Sequence, residues 1–479
     1  MAMPFFAILM TLVSLVVPQS SSLAWGACSR GGGDVLGAHL DEAGAECATL
    51  TVPVDHQRPT GATTTVAVTR LTATDPARRR GVLLLNPGGP GASGLELAAV
   101  TPQLFADLRE RYDVIGMDPR FTGRSDAIEC DWTTDTFLRS AGPDRRTFDR
   151  NLPLMRSLAA GCARGNVERL PYATTRNTAR DIDLLRRALG ESKINFLGFS
   201  YGTYLGAVYL QMFGAHADRF VLDSAVDPAV YGPGLFRHNA PAMTDALREW
   251  AGWAAERDGT YHLGATADAV LATVERLHRP LRIGAHRVDA GFLPAYLFSR
   301  LAQAEYERLA GEIGFLGQEG PLPESLETYL RGLLTGQDSN PADRHGTPVL
   351  CADRPVSRDP DTYYRDIQEH RRAEPFFGPL TRNISPCAFW PVRGAEPPTR
   401  LGNDHPVLIV GADHDPITPY AGQQGLLRAL TGSSMVVARD TYRHTVYRVA
   451  GNDCVDRVVT AYLLGARVPK LSTCARPGR

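Results

Sequence analysis

The stretch that most restricts the fold is INFLGFSYGTYLG, Ile194 to Gly206. Strand formers run directly into Gly-Phe-Ser-Tyr-Gly, and small and aromatic residues suited to a helix follow. A strand that passes into a helix through Gly-x-Ser-x-Gly holds the serine on a sharp turn, with its hydroxyl exposed above a sheet. Alone, the five letters prove little. With 46 Gly in 479 residues, roughly 0.3 chance matches are expected at ordinary serine usage. What gives them weight is the text on either side.

Before them, ATLTVPVDH and TTTVAVTRLTA alternate Thr and Val as a half-exposed antiparallel pair does. VLLLNPGGPGASG and DVIGMDPRFTGRSD each begin with a short apolar run closed by Gly and Pro, the pattern of a strand buried on both faces. NTARDIDLLRRALGES reads as an amphipathic helix capped by Asn177 or Thr178 and ending near Gly190. RFVLDSAVDP is one more strand. This alternation of strand and helix predicts an α/β fold with a mostly parallel sheet covered by helices.

The alternation stops near Pro228 and resumes at HPVLIVGADHDP, His405 to Pro416. The intervening text is too long for one crossover. It is helical in APAMTDALREWAGWAAERDG, TADAVLATVERLHRP, PAYLFSRLAQAEYERLAGEI and PESLETYLRGLLTG, with Pro-rich loops later. The expected organisation is a leader over 1–24, a core over 25–228, a helical cap inserted over 229–400, and the rest of the core over 401–479. SMVVARD is its last strand and GNDCVDRVVTAYLLG its final helix.

The leader rests on the apolar run Phe5 to Val17, too short to span a bilayer as a stop-transfer helix. Ser22-Leu23-Ala24 follows with small residues where a signal peptidase cuts, so the mature chain starts near Trp25 and is exported. The basic residues usual at the start of such a leader are missing. Eight cysteines and no Cys-x-x-Cys fit export and disfavour zinc. Nearest-neighbour pairing of Cys28 with Cys47, Cys130 with Cys162, Cys351 with Cys387 and Cys454 with Cys474 would close four modest loops, each worth about 3 kcal/mol. A net charge of −1 gives no global reason to bind nucleic acid or an anionic membrane. No later segment is apolar enough to insert in a bilayer.

A serine on such a turn needs a base, and the base needs an orienting carboxylate, in the chain order Ser, acid, His. After the insert, VLIVGADHDPITP ends a strand in two candidate acids, Asp413 and Asp415. RDTYRHTVY then offers His444 after the next strand, while His405 and His414 come too early. The turn at Ser200 places the Tyr201 amide at a helix N-terminus, where it can face a developing oxyanion. A second amide is expected from NPGGPG, Asn86 to Gly91.

NPGGPGASG, DVIGMDPRFTGRSD, GFSYGTYLG, GADHDPITP and CVDRVVTAYLLGARVP together resemble the secreted tripeptidyl aminopeptidases of actinomycetes, relatives of prolyl aminopeptidases in the α/β-hydrolase superfamily. The resemblance runs from about Cys28 to Cys474. It implies an α/β-hydrolase fold with a helical cap, Ser200 as nucleophile, Asp415 (in Asp-Pro-x-Thr-Pro) as orienting acid and His444 as base. Gly88 or Gly89 and Tyr201 would supply the oxyanion amides. Two positions depart from the family pattern: Arg443 stands where glycine usually precedes the histidine, and Phe121 where glycine usually follows Asp-Pro-Arg.

The reaction expected is acyl transfer to water, with no metal or organic cofactor, on a peptide or a small ester or amide. Release of peptides from free N-termini would need carboxylates to hold an ammonium group. Glu249 and Glu256 in LREWAGWAAERDG, and Asp227 at the entry to the insert, are the candidates, though such acids on a helix are more often solvated. An esterase or amidase for small secreted metabolites is the alternative. A non-catalytic binding protein on the same scaffold is disfavoured by the complete Ser-Asp-His set.

Overall fold

The structure, a computed structural model, describes residues 23–316, 320–336 and 342–476. The leader expected over 1–24 therefore lies almost wholly outside the described residues. The Thr/Val alternation becomes two antiparallel strands, β1 (Glu46–Pro53) and β2 (Thr63–Leu71), paired Glu46 to Arg70 through Pro53 to Thr63. The apolar runs become β3 (Val82–Asn86), β4 (Asp113–Met117), β5 (Ile194–Phe199) and β6 (Ala217–Asp223). A hairpin of β7 (Leu281–Ile283) and β8 (His286–Val288) stands apart. The sheet is completed by β9 (Leu408–Ala412), β10 (Ser434–Ala438) and β11 (Leu471–Cys474).

Nine strands run in the order β1-β2-β4-β3-β5-β6-β9-β10-β11. From β4 to β11 every pairing is parallel; β2 meets β4 antiparallel. Every residue of β3, β5 and β9 is buried, as helices on both faces require of continuous apolar strands. β11 was not foreseen. Its four residues at the sheet edge, two exposed and only Cys474 buried, carry too short a pattern to read as a strand.

The helices that bear on function are α1 (Arg145–Ala163), α2 (Thr175–Ala188) and α3 (Tyr201–Phe213) beside the sheet. In the insert come α4 (Ala240–Ala255), α5 (Ala267–Leu277), α6 (Phe292–Ala302), α7 (Tyr306–Ile313), α8 (Glu324–Thr335), α9 (Ala342–Asp353) and α10 (Pro360–His370). The chain closes with α11 (Tyr420–Ala429) and α12 (Asp453–Leu463).

Three expectations are corrected. The cap of α2 is Thr174, not Asn177 or Thr178: its backbone is extended and its hydroxyl accepts from the Asn177 amide at 3.2 Å. The text PAYLFSRLAQAEYERLAGEI, expected to be helical without a break, is two helices, because Ala304 takes φ +52° between α6 and α7. Part of the text expected as Pro-rich loops is α9 and α10. Pro348 sits inside α9, and Pro360 opens α10, where its fixed φ and missing N–H cost nothing.

Buried side chains fall into separate clusters. Met243, Trp250, Tyr296, Leu309 and Leu330 from α4 to α8 pack with one another and with Phe377, Leu380 and Ile417. Val349, Leu350 and Ile367 from α9 and α10 pack instead with the sheet residues Leu84, Ile115 and Phe196. All four nearest-neighbour disulfides form, Cys28–Cys47, Cys130–Cys162, Cys351–Cys387 and Cys454–Cys474. The last ties α12 to β11. Among the described residues no helix is long and apolar enough to cross a membrane.

Candidate active site

At the C-terminal end of β5, Ser200 has φ 54° and ψ −121°, a conformation a residue with a Cβ rarely holds. The two flanking glycines make the turn possible. A Cβ on Gly198 would lie 2.6 Å from the Gly202 carbonyl oxygen, and one on Gly202 would lie 2.7 Å from Asn86 Oδ1. Neither position has room for a side chain. Behind the turn, the Tyr201 ring is buried and its hydroxyl lies 2.8 Å from Thr175 Oγ1. The Asp353 carboxylate accepts from the Thr175 amide at 2.8 Å and from the Tyr231 hydroxyl at 2.9 Å. Burial pushes the Asp353 carboxyl up to about 6.

The glycine loop after β3 lies against this turn. A Cβ on Gly88 would come within 2.4 Å of the Phe199 carbonyl and 3.0 Å of Ser200 Cβ. Gly88, Gly89 and Gly91 all have φ near +100°, so glycine is needed at each. The Gly88 amide donates to Asn86 Oδ1 at 3.1 Å and is occupied within the loop. On its far side the loop meets the insert: a Cβ on Gly91 would lie 2.2 Å from the Ala342 carbonyl at the start of α9.

Beyond β9, Asp415 is fully buried and its carboxylate is fixed four ways. It accepts the Ile417 and Thr418 amides at 2.8 and 2.9 Å, the Thr418 hydroxyl at 2.8 Å, and His444 Nδ1 at 2.9 Å. A carboxylate only accepts, so Nδ1 carries the imidazole proton and Nε2 is left with a lone pair. Asp413, the other acid of the loop, accepts from the Thr441 amide at 3.2 Å and pairs with Arg439 at 3.4 Å. His414 stacks on Tyr442 with ring centroids 4.2 Å apart. Ser200 and Asp415 thus lie at the ends of strands of one sheet, and His444 follows β10.

Reasoning from sequence missed Asp223, the last residue of β6. Its carbonyl accepts the Ser200 amide at 2.9 Å, and its carboxylate accepts the Val446 and Tyr447 amides at 3.1 and 2.7 Å. Ser224 Oγ receives the Thr445 amide at 2.9 Å. One strand end therefore holds both the serine turn and the loop after His444. Burial raises the Asp223 carboxyl to about 6, against the pull of those amides. An acid in RFVLDSAVDP at a strand's C-terminal end was the available signal.

The two departures from the family pattern have different consequences. Phe121 takes φ +65°, the left-handed backbone a glycine adopts freely, with its ring under the Arg169 guanidinium at 4.6 Å. Arg443 reaches into the insert, donating to the Gln303 carbonyl at 2.6 Å, while the His444 amide donates to the Ala302 carbonyl at 2.9 Å.

The three acids put forward for an ammonium group are not brought together. Glu249 pairs with Arg476 at 2.9 Å, and Glu256 is 59% exposed and pairs with Arg257. Asp227 accepts the Ala229 amide and packs against Gly422 and Gly425 of α11. A different pair lies by the glycine loop. Asp343, next to Ala342, receives the Thr136 hydroxyl, and Asp135 Oδ1 is buried with no hydrogen-bond partner among the described residues. Burial, and then the Asp343 charge, lift the Asp135 carboxyl to about 6.

A family model described as the alpha/beta hydrolase fold matches residues 81–449, and the chain belongs to that family. It is similar to the tripeptidyl aminopeptidase of Streptomyces coelicolor, at 35% identity covering 90% of this chain and 83% of that protein. The serine protease Hip1 of Mycobacterium tuberculosis is 31% identical over 89% of this chain and 86% of its own length. Carboxylesterase B of the same organism is also 31% identical, over 97% and 91%. The chain is an enzyme, a serine hydrolase.

Proposed function

We propose that the chain is a secreted serine exopeptidase that releases short peptides from free N-termini through an acyl-enzyme. The observation that carries this reading is the Asp415–His444 pair at 2.9 Å beyond the sheet that holds Ser200 on a strained turn. Relatives named tripeptidyl aminopeptidase and serine protease support the peptide substrate. His444 Nε2 takes the Ser200 proton as Oγ attacks the carbonyl, and Asp415 steadies the imidazolium. The Tyr201 amide and the Gly89 amide, Gly88 being engaged with Asn86, receive the oxyanion. His444 then gives its proton to the leaving amine, and water repeats the sequence on the ester.

The ammonium anchor in this reading is the pair Asp135 and Asp343. Two carboxylates that repel one another, one with an unpartnered buried oxygen, are relieved by a cation, which Arg139 and Arg344 supply to Asp135 only in part, since its carboxyl stays raised. Asp343 follows Ala342, whose carbonyl packs on the same glycine loop that lies against the serine turn. Asp343→Asn should raise KM for free-amine peptides about tenfold with kcat little changed. An unaltered KM removes the anchor from this pair.

The decisive assay compares Ala-Ala-Pro arylamides with a free amine, the same peptides N-acylated, and a short-chain ester, with Ser200→Ala as control. Turnover of the free-amine peptide alone, abolished in the variant, is expected. Ester cleavage indifferent to a free amine would instead favour the esterase reading, for which the similarity to Carboxylesterase B speaks.

A further inference from the structure

A cavity of about 860 Å³ opens at the seam between the insert and the histidine loop, within the ~300–1,000 Å³ typical of ligand sites. One wall is the end of α4 and the first turn of α7, with Trp253, Arg257, Tyr306 and Arg308; the other is the segment running into His444, with Tyr442 and Arg443. Three carboxylates share the lining, and two of them pair with its arginines, Glu256 with Arg257 at 3.3 Å and Glu305 with Arg308 at 3.0 Å, through contacts that are exposed and open to exchange. Neither Ser200 nor the acid pair by the glycine loop borders it, and on the segment running into His444 the lining stops at Arg443, one residue short of the histidine. Its floor is aromatic. Trp253, Tyr306 and Tyr442 line it; the Trp253 ring lies 5.7 Å from Tyr306 and from Tyr261, which is outside the lining, with the Arg257 guanidinium 4.3 Å above it. Arg443 adds a buried Nε with no hydrogen-bond partner among the described residues.

The chemistry gives this position meaning. In acylation the Ser200 Oγ–carbon bond forms, the carbon–nitrogen bond breaks, and the proton travels from Oγ through His444 Nε2 to the departing nitrogen. The departing nitrogen must therefore face His444. Any chain attached to it leaves past the histidine loop, whose residues Tyr442 and Arg443 line the cavity.

We propose that this cavity holds the leaving polypeptide: an extended segment C-terminal to the cut, its side chains on Trp253, Tyr306 and Tyr442 and its carbonyls on Arg257, Arg308 and Arg443. The inference rests on the exopeptidase reading. It means that the enzyme distinguishes a long peptide from a tripeptide derivative by contacts beyond the reacting bond. Aromatic faces and guanidinium donors suit a partner of varied sequence, because they bind backbone and apolar surface rather than one side chain.

The test uses purified enzyme and two substrates with the same free-amine tripeptide, one ending in an arylamide and one continuing for four residues. Trp253→Ala and the half-exposed Arg308→Glu are compared with wild type. Each should lower kcat/KM for the long peptide about tenfold, mainly through KM, and change arylamide hydrolysis less than about twofold. Equal losses on both substrates, or no loss on the long one, overturn the assignment of the cavity. If wild type cleaves neither substrate, the exopeptidase reading itself has failed; wild-type cleavage with unselective variants removes only the cavity from it.

Discussion

Two buried carboxylates, one at the end of β6 and one in the loop after its neighbour β9, grip His444 and its loop differently. Asp415, in the loop after β9, takes the imidazole Nδ1 at 2.9 Å. Asp223, at the tip of β6, never meets the ring; it takes the amides of Val446 and Tyr447 at 3.1 and 2.7 Å and so fixes the backbone that carries it. Both side chains are fully buried. One sets the proton and the direction of the ring, the other the place from which the ring reaches. The contrast separates electronic from positional support in one site, which is why the two acids should fail differently.

The largest effect belongs to the first acid. Asp415→Asn puts an amide where only an acceptor serves, and the imidazole is driven to its other tautomer. We expect kcat to fall about 10⁴-fold with KM and folding little changed, read from single-turnover acylation. A loss under tenfold would mean that some other group orients His444.

Asp223→Asn should cost less, about 10²-fold at most, as a displacement of the base rather than its loss. It should also change the pH dependence. The carboxyl is raised from 3.8 to about 6 by burial, so the folded protein keeps that proton where the unfolded chain has released it. Its contribution to stability is therefore greatest below about 4 and is lost as pH climbs to about 6. Ionised, the group accepts both amides fully; protonated, it gives up an acceptor and the histidine loop loosens. Wild-type kcat should thus carry an acidic limb with a component near 6 that vanishes in Asp223→Asn, while thermal stability between pH 4 and 6 loses its downward slope. An unchanged acidic limb would assign Asp223 to folding alone.

How much of this was legible follows from where each signal is written. The serine turn, the acid and the histidine are local patterns at strand ends, and the apolar runs of β3, β5 and β9 leave little freedom once helices cover both faces. Cysteine order likewise sufficed for the disulfides. What escaped is what the chain writes in three dimensions. Asp223 looks like any acid in a loop until β6 and the histidine loop are brought together. Nothing in Gln303-Ala304-Glu305 announces a break, since neither glycine nor proline is present; tertiary packing imposes φ +52° on Ala304. Pro348 and Pro360 pointed to loops because proline is costly inside helices, yet α9 packs Val349 and Leu350 against the sheet core. Glu249 and Glu256 were sensible acids on a helix whose partners the text could not name.

The smallest effect sharpens the comparison from a third side. The loop also hangs on the insert, through the His444 amide on Ala302 and the Arg443 guanidinium on Gln303. Arg443→Gly would restore the residue usual in the family and delete only the second of these contacts. The amide bond to Ala302 and the grips of Asp415 and Asp223 all remain, so the ring keeps both its direction and its place. Arylamide kcat should therefore change by no more than about threefold, and the loss of the two exposed hydrogen bonds to Gln303, at 2.6 and 3.4 Å, should cost about 1.5 kcal/mol, visible as a modest drop in melting temperature. Were kcat to fall as far as in Asp223→Asn, the insert would rank with β6 as a support of the base. The division of labour between the two carboxylates would then have to be redrawn to include a third support, the turn between α6 and α7.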